Sequence, residues 1–339
     1  MRPRIVLCFP HEERHRQAIA AAAPWGNVVS VPQEQIAEEL MEADIFCGHA
    51  KVPVDWDAVV KRGRLVWIQS SAAGMDHCLV PSVIASNIVV TSASGVLADQ
   101  VAEHTVALMT AWLRSLPTFF WAQQREEFIR RPTRDLHRSR ILIVGFGGVG
   151  RRLAQVLHVF KTHIWATDLF PVDKPAYVEK LCPPESLEEF LPEADITILA
   201  LPLNDKTRGM FGQDQFARMK PGSLFVNVAR GPIVRTDALI EALQKGPIAG
   251  AVLDVTDPEP LPPGHPLWKL SNVIITPHVG GQSATRADDI TRLICENLRR
   301  WHTGQPLINL VSDKTAGFPF RDGSTPLWID VCDSIPADF

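Results

Sequence analysis

Short apolar runs alternate with helix-like stretches along most of the chain. Residues 4–8, 44–48, 65–69 and 88–91 read as buried strands. A second series follows at 141–145, 163–168, 196–201, 224–228, 249–254 and 273–276. Strands that are apolar throughout, with helices between them, imply parallel sheets covered on both faces. The two series predict an α/β protein with two doubly wound parallel-sheet domains, and no solenoid repeat is found.

Two long helices are expected at the passages between the domains. The first is predicted over 99–116, where Val101, Thr105, Leu108, Met109, Trp112 and Leu116 recur at helical spacing and Pro117 ends the run. The second is predicted over 284–302. Ser283 is its expected N-cap, Gly304 lies just past its end, and Ile290, Leu293, Ile294, Leu298 and Trp301 form its apolar face. One domain then joins 1–103 to the returning chain at 284–318, and the other occupies 104–283. Residues 319–339 read as a tail, rich in Pro, Asp, Gly and Ser, with an apolar stretch at 327–331 that can dock.

Composition narrows the class. Of 339 residues, 46% are hydrophobic and 21% charged, enough to bury sizeable cores. The balance of 34 Lys+Arg against 38 Asp+Glu, net −4, argues against a nucleic-acid partner. No apolar run approaches the roughly 20 residues of a membrane span. The apolar run after Arg4 is too short for a secretory signal. The six cysteines are scattered without a CxxC. They read as reduced thiols of a cytoplasmic protein, with no metal site expected.

The first candidate chemistry is a phosphate loop. The run Ile141-Leu142-Ile143-Val144 leads into Gly145-Phe146-Gly147-Gly148-Val149-Gly150, and a helix-like stretch follows. Gly145 permits the tight turn, Gly147 lets the backbone approach a pyrophosphate, and Gly150 lets the helix pack on the strand. The helix N-terminus supplies free N–H groups to the anion. Asp168 ends the next strand. There its carboxylate can accept both ribose hydroxyls of an adenosine and repel a 2′-phosphate, which favours NAD over NADP.

The wider pattern resembles the D-isomer-specific 2-hydroxyacid dehydrogenases. The resemblance rests on residues 141–150, Asp168, Val226-Asn227-Val228-Ala229-Arg230-Gly231, Asp254-Val255-Thr256-Asp257-Pro258-Glu259-Pro260 and Thr276-Pro277-His278-Val279-Gly280-Gly281. The loop Ser70-Ser71-Ala72-Ala73-Gly74-Met75-Asp76 and the helix Val101-Ala102-Glu103-His104 are similar to the family's as well. It implies a Rossmann cofactor domain inserted in a flavodoxin-like substrate domain, with the active site in the cleft. It implies that Arg230, Glu259 and His278 are catalytic. It also implies that Asp168, Val228, Ala229, Arg230, Asp254, His278, Gly280 and Gly281 join the glycine loop in binding the cofactor. Ala73 and Gly74 would meet the substrate carboxylate together with Arg230 and His278. A homodimer is expected, with the contact near the 99–116 helix and its following loop.

The residue types suit the reaction so implied. Reduction of a 2-keto acid needs a hydride and a proton on the developing alkoxide. Arg230, at a strand end, offers a guanidinium fork that can hold a carboxylate and polarise the neighbouring carbonyl. An imidazole such as that of His278 can give the proton in reduction and take it in oxidation, because this side-chain type titrates near neutrality. Glu259 can orient that ring and stabilise its cation. Glutamate here also argues against formate dehydrogenase, a related family with glutamine at this position.

Other readings compete. His11-Glu12-Glu13-Arg14-His15 matches the HExxH zinc pattern, but Pro10 places it in a charged first turn and no third ligand is identifiable. Asp76-His77-Cys78 reads as a helix start. Trp112, Phe119, Phe120 and Trp121 read as core or interface residues. A non-enzymatic NADH-sensing partner protein on the same fold is the alternative to the dehydrogenase. The substrates expected are small 2-keto and 2-hydroxy acids of glyoxylate or hydroxypyruvate type.

Overall fold

The computed structural model describes residues 2–321, 323 and 325–336. The chain divides into two units, 1–97 with 283–339, and 98–282.

The first unit carries β1 (Arg4–Cys8), β2 (Asn27–Ser30), β3 (Ile45–Gly48), β4 (Trp67–Ser70) and β5 (Val89–Thr91). They form a parallel sheet in the order β2-β1-β3-β4-β5. This is the flavodoxin-like order, with its switch point between β1 and β3. Every residue of β3 and β4 is buried. By contrast β2 is an edge strand with Asn27 and Ser30 exposed, so it lacks the continuous apolar run that marks the others.

The second unit carries β6 (Arg140–Val144), β7 (His163–Thr167), β8 (Lys180–Cys182), β9 (Ile196–Leu199), β10 (Leu224–Asn227), β11 (Gly250–Leu253) and β12 (Val273–Ile275). All pair in parallel, in the order β12-β11-β10-β9-β6-β7-β8. The chain works outward from β6 to β8, then crosses to β9 on the other side. That crossing is a Rossmann-type switch point, where loops at the carboxyl ends of the strands leave a crevice. The short edge strand β8 has only three half-buried residues and no sequence signal of its own.

The helices differ from expectation at their ends. The first runs Ala98–Leu113, not 99–116. Ser115 then adopts φ 57°, and a second helix, Leu116–Gln124, begins with Pro117 in its first turn. Proline is tolerated there because first-turn N–H groups lack intrahelical acceptors anyway, so Pro117 opens a helix as well as closing one. Ala102, Met109 and Leu113 pack with Ile141, Val226 and Val252. The helix therefore belongs whole to the second unit, and the boundary falls at 97/98 instead of 103/104. The long C-terminal helix runs Arg286–Thr303 and closes on Gly304 at φ 68°. Ser283 accepts the Thr285 N–H at 3.1 Å instead of capping the helix itself.

The tail expectation changes over 325–336. Trp328 and Ile335 are 5% and 8% exposed and pack with Ile290, Leu293 and Ile294 in the core of the first unit. Asn309 ties the segment down by donating its N–H to the Pro326 carbonyl at 2.9 Å and accepting the Trp328 N–H at 3.0 Å. The Arg292 guanidinium donates to the carbonyls of Cys332, Ile335 and Pro336 at 3.2, 2.7 and 3.0 Å. A last strand-like contact pairs Leu310 with Thr91 at the edge of β5. Residues 337–339 lie outside the described residues.

The HExxH histidines go to different partners. His11 meets the Phe9 carbonyl and the Ser30 hydroxyl at 2.6 and 2.7 Å. His15 is buried; its Nδ1 accepts the Glu12 N–H at 2.8 Å, so Nε2 carries the proton and donates to Asp288 Oδ1 at 2.7 Å. That bond, with the nearby Arg14 cation, holds the Asp288 carboxyl below its ordinary value. Asp76, His77 and Cys78 form a turn, not a helix start, and Pro81 opens the next helix instead. Burial pushes the Cys78 thiol up, which makes it a poor nucleophile.

Candidate active site

Four of the predicted site segments emerge at the carboxyl ends of strands in the second unit: Asp168 after β7, Arg230 after β10, Asp254 after β11 and His278 after β12. The glycine loop follows β6, at the switch point itself. Gly145 takes φ 96°, and a Cβ there would lie 2.5 Å from the carbonyl oxygen of Ala200, just past β9. A Cβ on Gly150 would lie 2.1 Å from the Gly145 carbonyl oxygen. Neither position has room for a side chain without a backbone shift.

Gly147 is different. A Cβ there would meet nothing within 4 Å. The chain's own packing does not require glycine, and the space beside the loop stays open. Gly147 is also the N-cap of the helix Gly148–His158 and offers no side-chain cap. The first-turn N–H groups thus face a loop able to take an anion.

Asp168 is half-buried across the same crevice. One carboxylate oxygen accepts the Phe146 N–H at 2.6 Å and the other the Phe170 N–H at 2.9 Å. A carboxylate has about four acceptor sites. The two backbone bonds fix the group and leave capacity for two hydroxyls. The open glycine loop and this oriented acid fit an adenosine pyrophosphate such as a nicotinamide dinucleotide carries.

Asp254 is the hub of the next loop. It is 3% exposed. Its Oδ1 accepts the Thr276 hydroxyl at 2.6 Å and the Val279 N–H at 3.0 Å, and its Oδ2 accepts the Gly280 N–H at 2.9 Å. A Cβ on Gly280 would sit 2.8 Å from that Oδ2, so the turn depends on glycine. His104 reaches the same cluster. Its Nε2 lies 3.0 Å from the Thr276 hydroxyl and 3.2 Å from Asp254 Oδ1. Because that hydroxyl donates to Asp254, the imidazole N–H is the donor to Thr276. Sequence reasoning assigned no role to His104 or Thr276. A signal was present: His104 lies on the apolar stripe of its helix, beside Val101, Thr105 and Leu108.

The clamp sets the conformation of His278. Its N–H donates to the Asp254 carbonyl at 2.8 Å, and its backbone takes φ 55°. So held, its Nδ1 lies 2.7 Å from Glu259 Oε1, with both side chains 43% exposed. A carboxylate at Nδ1 orients the ring and leaves Nε2 as the atom that can exchange a proton. Arg230 is half-buried, with Asn227 bonded to its carbonyl and to the Ala229 N–H, each at 3.0 Å. The next residue, Gly231, passes so close to Thr256 that a Cβ would lie 1.9 Å from its carbonyl oxygen. The Arg230 backbone is fixed from both sides.

Val228 and Ala229 lead from β10 into Arg230, and Gly281 follows the Asp254 clamp. Ala73 and Gly74 lie in the first unit, in the loop after β4 at the carboxyl end of that sheet. The Ser70 hydroxyl accepts the Ala72 N–H at 3.0 Å and shapes the turn ahead of them.

Residues 106–280 match the model of the D-isomer specific 2-hydroxyacid dehydrogenase, NAD binding domain. The chain belongs to this dehydrogenase family. It is 32% identical over 337 residues to a glyoxylate/hydroxypyruvate reductase B of Salmonella heidelberg, covering 94% of this chain and 100% of that one. It is 31% identical over 277 residues to a glyoxylate reductase of Thermofilum pendens, covering 78% of this chain and 80% of the relative. Among solved structures, a D-isomer specific 2-hydroxyacid dehydrogenase from Xanthobacter autotrophicus Py2, in complex with NADPH and MES, superposes with a TM-score of 0.77 at 27% identity. It covers 92% of this chain and 99% of that one. The protein is thus an oxidoreductase with two parallel-sheet α/β units and a dinucleotide-binding fold in the second.

Proposed function

We propose that this dehydrogenase reduces a small 2-keto acid of glyoxylate or hydroxypyruvate type to the D-2-hydroxy acid, using NADH in preference to NADPH. The observation that carries the chemistry is the 2.7 Å contact between His278 Nδ1 and Glu259 Oε1, in the unit that also holds Arg230 and the glycine loop. The substrate class draws support from the reductase names of two relatives.

The second unit is the cofactor domain and the first the substrate domain. Gly147, Gly148 and Val149 cradle the pyrophosphate, Asp168 takes the ribose, and Val228, Ala229, Asp254, Gly280 and Gly281 line the nicotinamide side. When bound, the nicotinamide supplies the hydride. Arg230 holds the substrate carboxylate and polarises the keto oxygen. Ala73 and Gly74, in the first unit, offer backbone to a substrate carboxylate. The proton for the new hydroxyl comes from His278 Nε2, and Glu259 keeps the ring turned and stabilises its charge.

The NADH preference rests on Asp168, whose fixed carboxylate repels a 2′-phosphate. A homodimer is part of the proposal. Phe120, Trp121 and Phe128 are 58%, 62% and 92% exposed on the helix Leu116–Gln124 and the loop after it, and a second copy would cover them. The six free thiols suit a reducing cytoplasm.

A panel of glyoxylate, hydroxypyruvate, pyruvate and bulkier 2-keto acids with NADH and NADPH tests the reading. Steady turnover of a small keto acid, with a D-product, is expected. Binding of NADH without turnover of any of them would leave the protein a cofactor sensor. Arg230→Ala should raise the KM for keto acid far more than it weakens NADH binding. Light scattering reads the dimer.

A further inference from the structure

The helix after the glycine loop buries a cation that the proposed chemistry does not use. Arg151 follows Gly150 and is 8% exposed. Its guanidinium donates to two successive carbonyls, Val172 at 2.8 Å and Asp173 at 2.9 Å. It also lies over the Phe146 ring, 4.7 Å from the centroid. Phe146 is itself buried, and its N–H is one of the two that fix the Asp168 carboxylate. The second of those N–H groups belongs to Phe170, whose carbonyl accepts from Val172.

These contacts close a ring. It runs from Phe146 in the glycine loop to the Asp168 carboxylate, along 168–173, through the Arg151 fork and back onto the Phe146 face. The segment 168–173 needs such a tie. It lies between β7 and the short edge strand β8 and exposes Leu169 and Val172. Within it the Val172 N–H donates to the Phe170 carbonyl at 2.8 Å, and a fork with two parallel donors is the side chain suited to holding two neighbouring carbonyls at once. Removing it would take the charged donor from both carbonyls and loosen the exposed turn they belong to.

We propose that Arg151 is a positioning residue for cofactor choice. It pins the 168–173 segment against the glycine loop, so that the Asp168 carboxylate is presented at a fixed place to the adenosine ribose. This rests on the reading of Asp168 as the ribose acceptor. Arg151 touches neither the substrate nor the reacting atoms; it acts through Asp168 and Phe146.

The test compares the full-length parent with Arg151→Gln and Arg151→Lys. Dissociation constants for NADH and NADPH are measured by energy transfer from tryptophan, and amide hydrogen exchange of 168–174 is followed without cofactor. Hydrogen bonds from a charged group of this kind are worth on the order of tenfold in affinity. For Arg151→Gln, NADH should bind about tenfold more weakly while NADPH changes little, so the preference narrows. Exchange at Phe170 and Val172 should quicken in the same variant. Arg151→Lys keeps the charge but not the fork, and should shift both readouts in the same direction by less. It carries the test alone if the glutamine variant does not fold. A variant with faster exchange but the parental NADH-to-NADPH ratio overturns the proposal and leaves Asp168 standing. Slow exchange in both variants overturns it as well. A parent that binds both cofactors equally instead sinks the reading of Asp168, and with it any role of Arg151 in choosing between them.

Discussion

The ring of His278 and the carboxylate of Glu259 meet at 2.7 Å across 19 residues of sequence. They meet because the backbone of His278 is held by Asp254. The Asp254 carbonyl accepts the His278 N–H, and the Asp254 carboxylate accepts the N–H groups of the next two residues, Val279 and Gly280. The pair is therefore a product of the β11 and β12 loop ends, not of either residue alone.

If His278 moves the proton, His278→Ala should cut turnover about 10²- to 10⁴-fold, the usual range for a general acid. NADH binding should largely survive. Glu259→Gln keeps the shape and one hydrogen bond to Nδ1 but removes the carboxylate beside the ring. It should lower kcat while NADH binding stays near the parental value. Steady-state turnover of a small keto acid beside an NADH titration reads both. Parental turnover in the variant would leave Glu259 without a part in the reaction.

Asp168→Ser should narrow the preference for NADH over NADPH, which the parent should show at tenfold or more, about 1.4 kcal/mol. The substitution removes the repulsion of a 2′-phosphate and leaves a smaller group to meet the Phe146 and Phe170 N–H groups. Paired titrations of the two cofactors against parent and variant read the ratio. An unchanged ratio would place the discrimination elsewhere.

Asp288 links stability to pH. Its carboxyl is held below the ordinary 3.8, chiefly by the bond from His15 and then by Arg14. A depressed carboxylate contributes stability that is fully present above its ordinary value and lost as pH falls through the lowered one. Asp288→Asn should melt below the parent at neutral pH, and the gap should close as the pH drops under about 4. Thermal unfolding across that range decides it. A gap of constant size would mean that the ion pair contributes nothing that titrates.

Trp328→Ala tests the docked C-terminal segment. The side chain is 5% exposed among Ile290, Leu293 and Ile294. Emptying such a site costs about 3–5 kcal/mol. Denaturant unfolding should show that loss. A change within about 0.5 kcal/mol, the range of ordinary surface substitutions, would mean the segment is a passenger.

Much of this was legible in the sequence because buried parallel strands are continuous apolar runs. All ten expected strands lie on observed ones. The two that escaped, β2 and β8, are edges; with one side unpaired they do not need an unbroken apolar run. Asp168, Arg230, Asp254 and His278 could be placed at strand ends from the sequence because a dense motif follows each apolar run there. His104 and Thr276 escaped because their partner lies far along the chain: His104 is 172 residues from Thr276. Spacing cannot show that. The stretch 327–331 was legible as one that docks, but its place was not. A single aromatic among Pro, Gly and Asp has no period to name the core that receives Trp328.

The division at 97/98 and 282/283 has a bearing on how the protein is made. The second unit is one unbroken stretch, 98–282, and contains every strand of its own sheet. As the ribosome delivers the chain, that unit can fold as soon as it has emerged. The first unit cannot. Its five strands are synthesised first, yet their core waits for Ile290, Leu293 and Ile294, and then for Trp328 and Ile335. During that interval the apolar face of the earliest part of the chain stays open, so nascent chains stalled before residue 290 should engage chaperones through their N-terminal third.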